Sequence, residues 1–329
     1  MADITTSFVG LKLQSPIIVG SSGLTRSLDK AQKMVEAGAG AIILKSLFEE
    51  QIEAYAASMK QESDYMEAAE YIGHYVRSEE VQRYLDTIRQ HKSKLSIPVI
   101  ASVNCYKSDT WVDFAEKMAS VGADALEVNI MSLDTDIYSD PTKTERKYVD
   151  MVAKLTKVVG IPVIVKLSRY HTSLPALVDL LRAAGASAVT LFNRSYQPDI
   201  NLDKEELCSG DIFSHAGDFA ETLRFTGLIT NLVPLIQISA STGIYTWQEV
   251  AKSLLAGAQT TQMCTVLYKE GASAISSALT ALGMWMDKRG YRSIDELRGR
   301  LASVRNVEVS ANIYERVQFM KYFGGRGDS

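Results

Sequence analysis

Four times along the chain a proline opens a short β-branched apolar run, and four times a Gly-Ala step precedes another such run. The proline runs are Pro16-Ile-Ile-Val19, Pro98-Val-Ile-Ala101, Pro162-Val-Ile-Val165 and Pro234-Leu-Ile-Gln237. Proline suits the first residue of a strand, where its missing N–H costs little. The Gly-Ala runs are Gly38 to Leu44, Gly122 to Val128, Gly185 to Leu191 and Gly257 to Met263. Between each proline run and the Gly-Ala run after it, apolar residues recur at helical spacing, over Leu28–Glu36, Trp111–Ala119, Leu174–Ala183 and Trp247–Leu255. The glycine then fits the left-handed position just past a helix end. Strand, helix, glycine cap and strand make a βαβ unit, and four units in tandem predict eight parallel strands. Apolar runs of this kind fit burial on both faces of a parallel sheet. The regular fourfold punctuation predicts an α/β protein with a closed (β/α)8 barrel rather than a doubly wound sheet.

The 329 residues suit one barrel, so residues 1–329 are expected to form a single domain. Two stretches interrupt the repeat. Residues 48–96 predict a long, charged, helical excursion after the second strand, and residues 195–217, rich in Asp, Gly and Ser, predict a loop after the sixth. Both leave from C-terminal strand ends, where barrels carry their chemistry. The tail, 323–329, is expected to fray, and its Arg326-Gly327-Asp328 is read as a chance match to a cell-adhesion tripeptide.

Several classes of function are disfavoured. A formal charge of -4 gives no general attraction to nucleic acid or to an anionic membrane. Cys105, Cys208 and Cys264 form no CxxC pair, and His74, His91, His171 and His215 show no ligand spacing, so no metal site is expected. The N-terminus lacks the basic and apolar regions of a secretory signal, and no apolar run approaches a membrane span. A cytoplasmic protein acting on a small molecule is the expectation, with a homodimer allowed.

The strand ends are polar. They read Ser21-Ser22-Gly23, Lys45-Ser46, Ser102 with Asn104, Asn129 to Ser132, Lys166 with Ser168, Asn193-Arg194, Ser241-Thr242-Gly243 and Cys264-Thr265. Lys45 and Lys166 end strands that are otherwise apolar. A single such lysine could simply snorkel to solvent; two at the ligand-binding mouth favour fixed positive charge offered to an anionic or electron-accepting ring. Ser241-Thr242-Gly243-Ile244, expected to lead straight into a helix, and Cys264-Thr265 suit a phosphate, although small residues also serve tight turns. The chain has no P-loop and no GxGxxG, so a Rossmann dinucleotide site is not supported.

In order and spacing, a set of stretches resembles the class 1 dihydroorotate dehydrogenases over nearly the whole barrel. They are Val19-Gly-Ser-Ser-Gly23, Ile42-Ile-Leu-Lys-Ser46, Glu127-Val-Asn129, Val163-Ile-Val-Lys-Leu167, Phe192-Asn193, Leu254-Leu-Ala-Gly-Ala258 and Cys264-Thr-Val-Leu-Tyr-Lys-Glu-Gly271. The resemblance implies FMN across the barrel mouth. Lys45, Asn129 and Lys166 would contact its ring and ribityl oxygens, with Gly243 and Thr265 near its phosphate. Ser22, Gly23, Ser46, Ser102 and Cys264 complete the implied cofactor set, Cys264 standing where the family typically has glycine. The resemblance also implies a base that removes a substrate proton as a hydride passes to flavin N5. The matching loop, Asn129-Ile-Met-Ser-Leu-Asp134, puts Ser132 at the base position. A serine is a poor base unless a neighbour relays its proton.

The departures fall on the substrate side. Met131, Leu133 and Asp134 replace the family's Ser, Pro and final Asn, and a family substrate segment has no counterpart in residues 48–96. A carboxylate at Asp134 would repel an anionic substrate unless it is protonated or paired with Arg194. The implied substrate contacts are Lys45, Asn129, Asp134, Asn193 and Arg194. The expected activity is oxidation of dihydroorotate or a related cyclic compound, its electron acceptor unknown; the chain shows no iron–sulfur or NAD module, so any such partner would be another chain. Two alternatives stay open at this point: a barrel lyase or aldolase using Lys45 or Lys166 as a Schiff base, and a flavin-binding barrel without turnover.

Overall fold

The computed structural model describes residues 2–48, 66–104, 110–130, 135–302 and 313–315. The chain opens with an antiparallel hairpin, β1 (Thr6–Phe8) and β2 (Leu11–Leu13), followed by β3 (Ile17–Val19), β4 (Ala41–Ile43) and the two-residue β5 (Leu47–Phe48). Next come β6 (Val99–Asn104), β7 (Ala125–Ile130), β8 (Val163–Leu167) and β9 (Ala188–Leu191). A second hairpin, β10 (Pro198–Asn201) and β11 (Glu206–Ser209), precedes β12 (Gln237–Ser241) and β13 (Thr260–Met263). In the sheet, β4, β3, β13, β12, β9, β8, β7 and β6 follow one another as parallel neighbours, and β4 pairs with β6 to close the ring. The protein is a (β/α)8 barrel, with β5 an accessory strand on β6.

The punctuation did what the sequence predicts. Gly38, Gly122, Gly185 and Gly257 all have positive φ, between 96° and 114°. At Gly257 the requirement is doubled, since an added Cβ would sit 2.3 Å from the Thr230 side chain. Helices occupy Leu28–Glu36 and Leu174–Ala183 as expected, and Thr110–Ser120 and Trp247–Ala256 within a residue at each end. The fourth proline run needs correction. Pro234 and Leu235 lie in a turn, Leu235 is 80% exposed, and the strand starts only at Gln237.

Of the first insertion, residues 49–65 lie outside the described residues, and the helix Met66–Lys94 occupies most of the rest. Val81, Leu85 and Ile88, at i, i+4 and i+7, bury one stripe against the barrel. Lys92 clamps Asp124 through both carboxylate oxygens, at 2.8 and 2.7 Å. The second insertion is not a plain loop: it folds into the β10–β11 hairpin. Its turn is set by Asn201, whose side chain accepts from the backbone of Asp203 and Lys204, a turn chemistry easily overlooked in a polar stretch. The predicted frayed tail, 323–329, lies outside the described residues. Among the described residues, no helix is long and apolar enough to cross a membrane.

Candidate active site

A strand sends alternate side chains to opposite faces, so each barrel strand has an inward and an outward set. The outward residues, such as Leu126, Val128, Val163 and Val165, pack in the cluster shared with the helices. The inward residues at the N-terminal end, Ile18, Ile43, Ile100, Ala125, Ile164 and Ala188, form an apolar floor plugged by Phe8, Val9 and Leu13 of the first hairpin. Two residues further along β7 and β8 the same inward face carries Glu127 and Lys166.

Above the floor the barrel interior is polar. Glu127 is fully buried, and its Oε2 accepts from Thr190 Oγ1 and Gln262 Nε2, both at 2.9 Å. Lys166 Nζ stands 3.6 Å from Glu127 Oε1 and donates to Gln262 Oε1 at 3.4 Å. Among the described residues Oε1 has no hydrogen bond, and the Lys166 ammonium stands beside it. A charge taken this far from water persists only when paired.

The next layer is the mouth. Lys45 lies close enough to Arg26, Lys166 and Cys264 for each to act on it electrostatically, and both lysines act on Cys264. Burial pushes the Lys45 ammonium below the usual lysine range; Cys264 offsets this in part, while Arg26 and Lys166 add to it. Burial pushes the Cys264 thiol up, against the two lysines and a hydrogen bond with Ser22. Lys45 also lies 4.5 Å above the Phe48 ring. On one side, Ser21, Ser46 and Ser102 form a hydroxyl chain with steps of 3.0 and 2.8 Å. Tyr84, reaching in from the Met66–Lys94 helix, closes it by donating to Ser102 O and accepting from Ser102 N. On the other side, Asn193 donates to Asn129 Oδ1 at 3.0 Å. A cleft runs from Lys166 and Asn193 past Ser241, Gly243 and Cys264 to Thr265.

The expected phosphate corner is built differently from the sequence reading. Thr242 and Gly243 have φ of 84° and 77°, and the helix begins only at Trp247. Its first turn is satisfied internally by a capping box of Thr246 and Glu249. Thr265 Oγ1 meets Ser214 Oγ at 3.0 Å, and Tyr245 hydroxyl donates to Ser214 O. The small residues at Ser241, Gly243, Cys264 and Thr265 do converge on the cleft.

Ser22, Gly23, Lys45, Ser46, Ser102, Asn129, Lys166, Asn193, Gly243, Cys264 and Thr265 thus all stand at the C-terminal mouth. Ser132 and Asp134 lie outside the described residues. Arg194 lines the cleft, and its guanidinium is engaged at 2.8 Å by Asp218. Sequence reasoning assigned no role to Glu127, Thr190 or Gln262. The period-two step back from Asn129 to Glu127, and back from Cys264 to Gln262, was the signal that could have found them.

An apolar-floored barrel with paired buried charge and cations at its C-terminal mouth is the construction of a barrel enzyme. The family model described as dihydroorotate dehydrogenase matches residues 3–286, and the chain belongs to that family. It is an oxidoreductase acting on CH–CH bonds, which displaces the lyase alternative. Similar proteins include the catalytic subunit of dihydroorotate dehydrogenase B (NAD(+)) from Thermoplasma acidophilum, 26% identical over 91% of this chain and 99% of the relative. The same subunit from Pyrococcus abyssi is 26% identical over 90% of this chain and 98% of its own. The NAD-dependent dihydropyrimidine dehydrogenase subunit PreA of Escherichia coli is 21% identical over 98% of this chain and 83% of its own.

Proposed function

We propose that this protein holds FMN across the barrel mouth and oxidises dihydroorotate or a related cyclic, anionic dihydropyrimidine. The observation that carries this reading is the charge balance at the mouth: Lys45 and Lys166 both act on Cys264, Arg26 acts on Lys45, and Glu127 below them pairs with Lys166. Such an excess of fixed positive charge suits an electron-rich ring or a bound anion.

The residues fit an isoalloxazine with its ribityl phosphate. Lys166 and Lys45 would stabilise charge on the ring, and Asn129 would bond its polar edge. Ser22, Gly23, Ser46, Ser102 and Cys264 would line the cofactor, with Gly243 and Thr265 at the phosphate. When bound, FMN supplies the hydride acceptor. Asn193, Arg194 and Asp134 would meet the substrate beside Lys45 and Asn129, and Ser132 would take the substrate's proton. The electrons then leave to a separate partner chain, consistent with the catalytic-subunit names of similar proteins and with a cytoplasmic setting.

The test is the purified protein's chromophore. It should release FMN on denaturation, and Lys166→Met, which keeps the apolar stem, should weaken FMN retention. Full and equally tight occupancy in the variant would remove Lys166 from the cofactor site.

A further inference from the structure

An ammonium facing an electron-accepting ring sets how readily that ring takes electrons, and whatever neutralises the ammonium sets it too. Lys166 belongs to two layers of the barrel at once. It lines the cleft and acts on Lys45 and Cys264 at the mouth, while its Nζ stands 3.6 Å from Glu127 Oε1 below. The Lys166 side chain is 9% exposed and that of Glu127 0%. Water therefore screens the pair poorly, and the charge of the carboxylate is felt at the mouth.

The two oxygens of that carboxylate are held differently. Oε2 accepts from Thr190 Oγ1 and Gln262 Nε2, both at 2.9 Å. Oε1 has no hydrogen bond among the described residues, so its charge is directed at the Lys166 ammonium. Gln262 spans the pair, donating through Nε2 to Glu127 and accepting through Oε1 from Lys166 at 3.4 Å, and it also lines the cleft. Glu127, Thr190 and Gln262 come from β7, β9 and β13, so this polar layer is assembled across the barrel directly beneath the cleft.

We infer that Glu127 tunes the cofactor site through Lys166: it holds the ammonium in place and tempers the positive charge that reaches the ring, setting the ring's reduction potential below the value the mouth cations alone would impose. This rests on the reading under Proposed function, which brings a flavin ring to Lys166, and it names what regulates electron affinity there. Glu127 does not line the cleft and is a positioning residue.

The sign follows from charge. Reduction adds electrons, so positive charge nearby favours the reduced ring and negative charge disfavours it. Lys45 and Lys166 raise the potential, and Glu127 opposes them. A lowered potential makes electron gain from the substrate less favourable and onward transfer to an acceptor more favourable. That balance suits a ring that has to pass its electrons to another chain.

The experiment measures the midpoint potential of the bound flavin at neutral pH, by anaerobic reduction against a reference dye, in wild type and three variants. Glu127→Gln removes the charge and keeps the shape, so its potential should be more positive than that of wild type. Glu127→Asp keeps the charge and should restore most of the difference. Thr190→Val takes a donor from Oε2, leaves the carboxylate less compensated, and should shift the potential the other way, to a more negative value. A purely structural role for Glu127 gives no such opposite signs. Glu127→Gln breaks a buried pair and costs stability; if it does not fold, Thr190→Val, which strands no charge, decides the question. A potential at or below that of wild type in Glu127→Gln, or at or above it in Thr190→Val, overturns this role alone. A wild type that takes up no FMN overturns the functional reading and this role with it.

Discussion

Lys166 and Glu127 form a cross-strand ion pair inside the barrel, Nζ 3.6 Å from Oε1, with the carboxylate wholly shielded from water. They are neighbours on β7 and β8, one step apart along the inward face, since Asn129 rather than Glu127 is the register partner of Lys166. The pair ties the floor of the site to its mouth. Gln262, from the far side of the ring, touches both ends.

Removing one partner of such a pair leaves the other buried and unbalanced. Glu127→Gln should destabilise the protein by about 3–5 kcal/mol, the usual cost of breaking a buried pair. Adding Lys166→Met should recover much of that loss, because no charge is then stranded. Urea unfolding of the two single variants and the double variant measures the coupling. A Glu127→Gln protein within about 1 kcal/mol of wild type would contradict the arrangement.

Stability should also depend on pH in the imidazole range. His91 and His171 are both held below the ordinary value of 6.5, in each case chiefly by burial. The unfolded chain therefore binds more protons than the folded one as pH falls through 6.5. Stability is fully present above that pH and declines below it until the folded-state values are reached, by up to about 1.4 kcal/mol per pH unit per group. Thermal unfolding at pH 7.5, 6.5 and 5.5, chosen to bracket roughly one unit either side of the free imidazole value, reads the slope. His171→Asn should make it shallower. A melting temperature flat across this range would show that neither ring resists protonation.

Much of this architecture was legible because strand starts and helix ends are written in residues with backbone consequences. The four Gly-Ala steps were readable since Gly38, Gly122, Gly185 and Gly257 must all adopt positive φ. Pro234 misled because the same residue that opens a strand also opens a turn, and Val233 and Ile236 bury what Leu235 does not. The mouth lysines were visible as lone charges ending apolar runs. Glu127 was hidden inside such a run and Gln262 inside the polar Thr260-Thr261-Gln262 of β13, where only the period-two face separates a core position from a site position.

Asp134 is proposed to bear on which substrate the pocket accepts. The resemblance puts it where the family carries a neutral Asn, and the guanidinium of Arg194 is engaged by Asp218. Like charges in a water-poor pocket repel more strongly than in bulk water. Asp134→Asn should therefore tighten orotate binding by roughly tenfold or more, equivalent to about 1.4 kcal/mol. Titration of the flavin absorbance with orotate at neutral pH measures it. Tight binding by wild type that the Asn substitution weakens would overturn this assignment.

On the proposed function, a mouth built from Lys45, Lys166 and Asn129 holds a flavin that takes hydride from a dihydropyrimidine. Anaerobic titration of the purified protein with dihydroorotate and with 5,6-dihydrouracil, followed at the oxidised-flavin absorbance band, tests it most directly. The expected outcome is a yellow protein whose band bleaches in proportion to added substrate with at least one of the two. A protein that takes up no FMN, or whose bound flavin neither compound reduces, would contradict it.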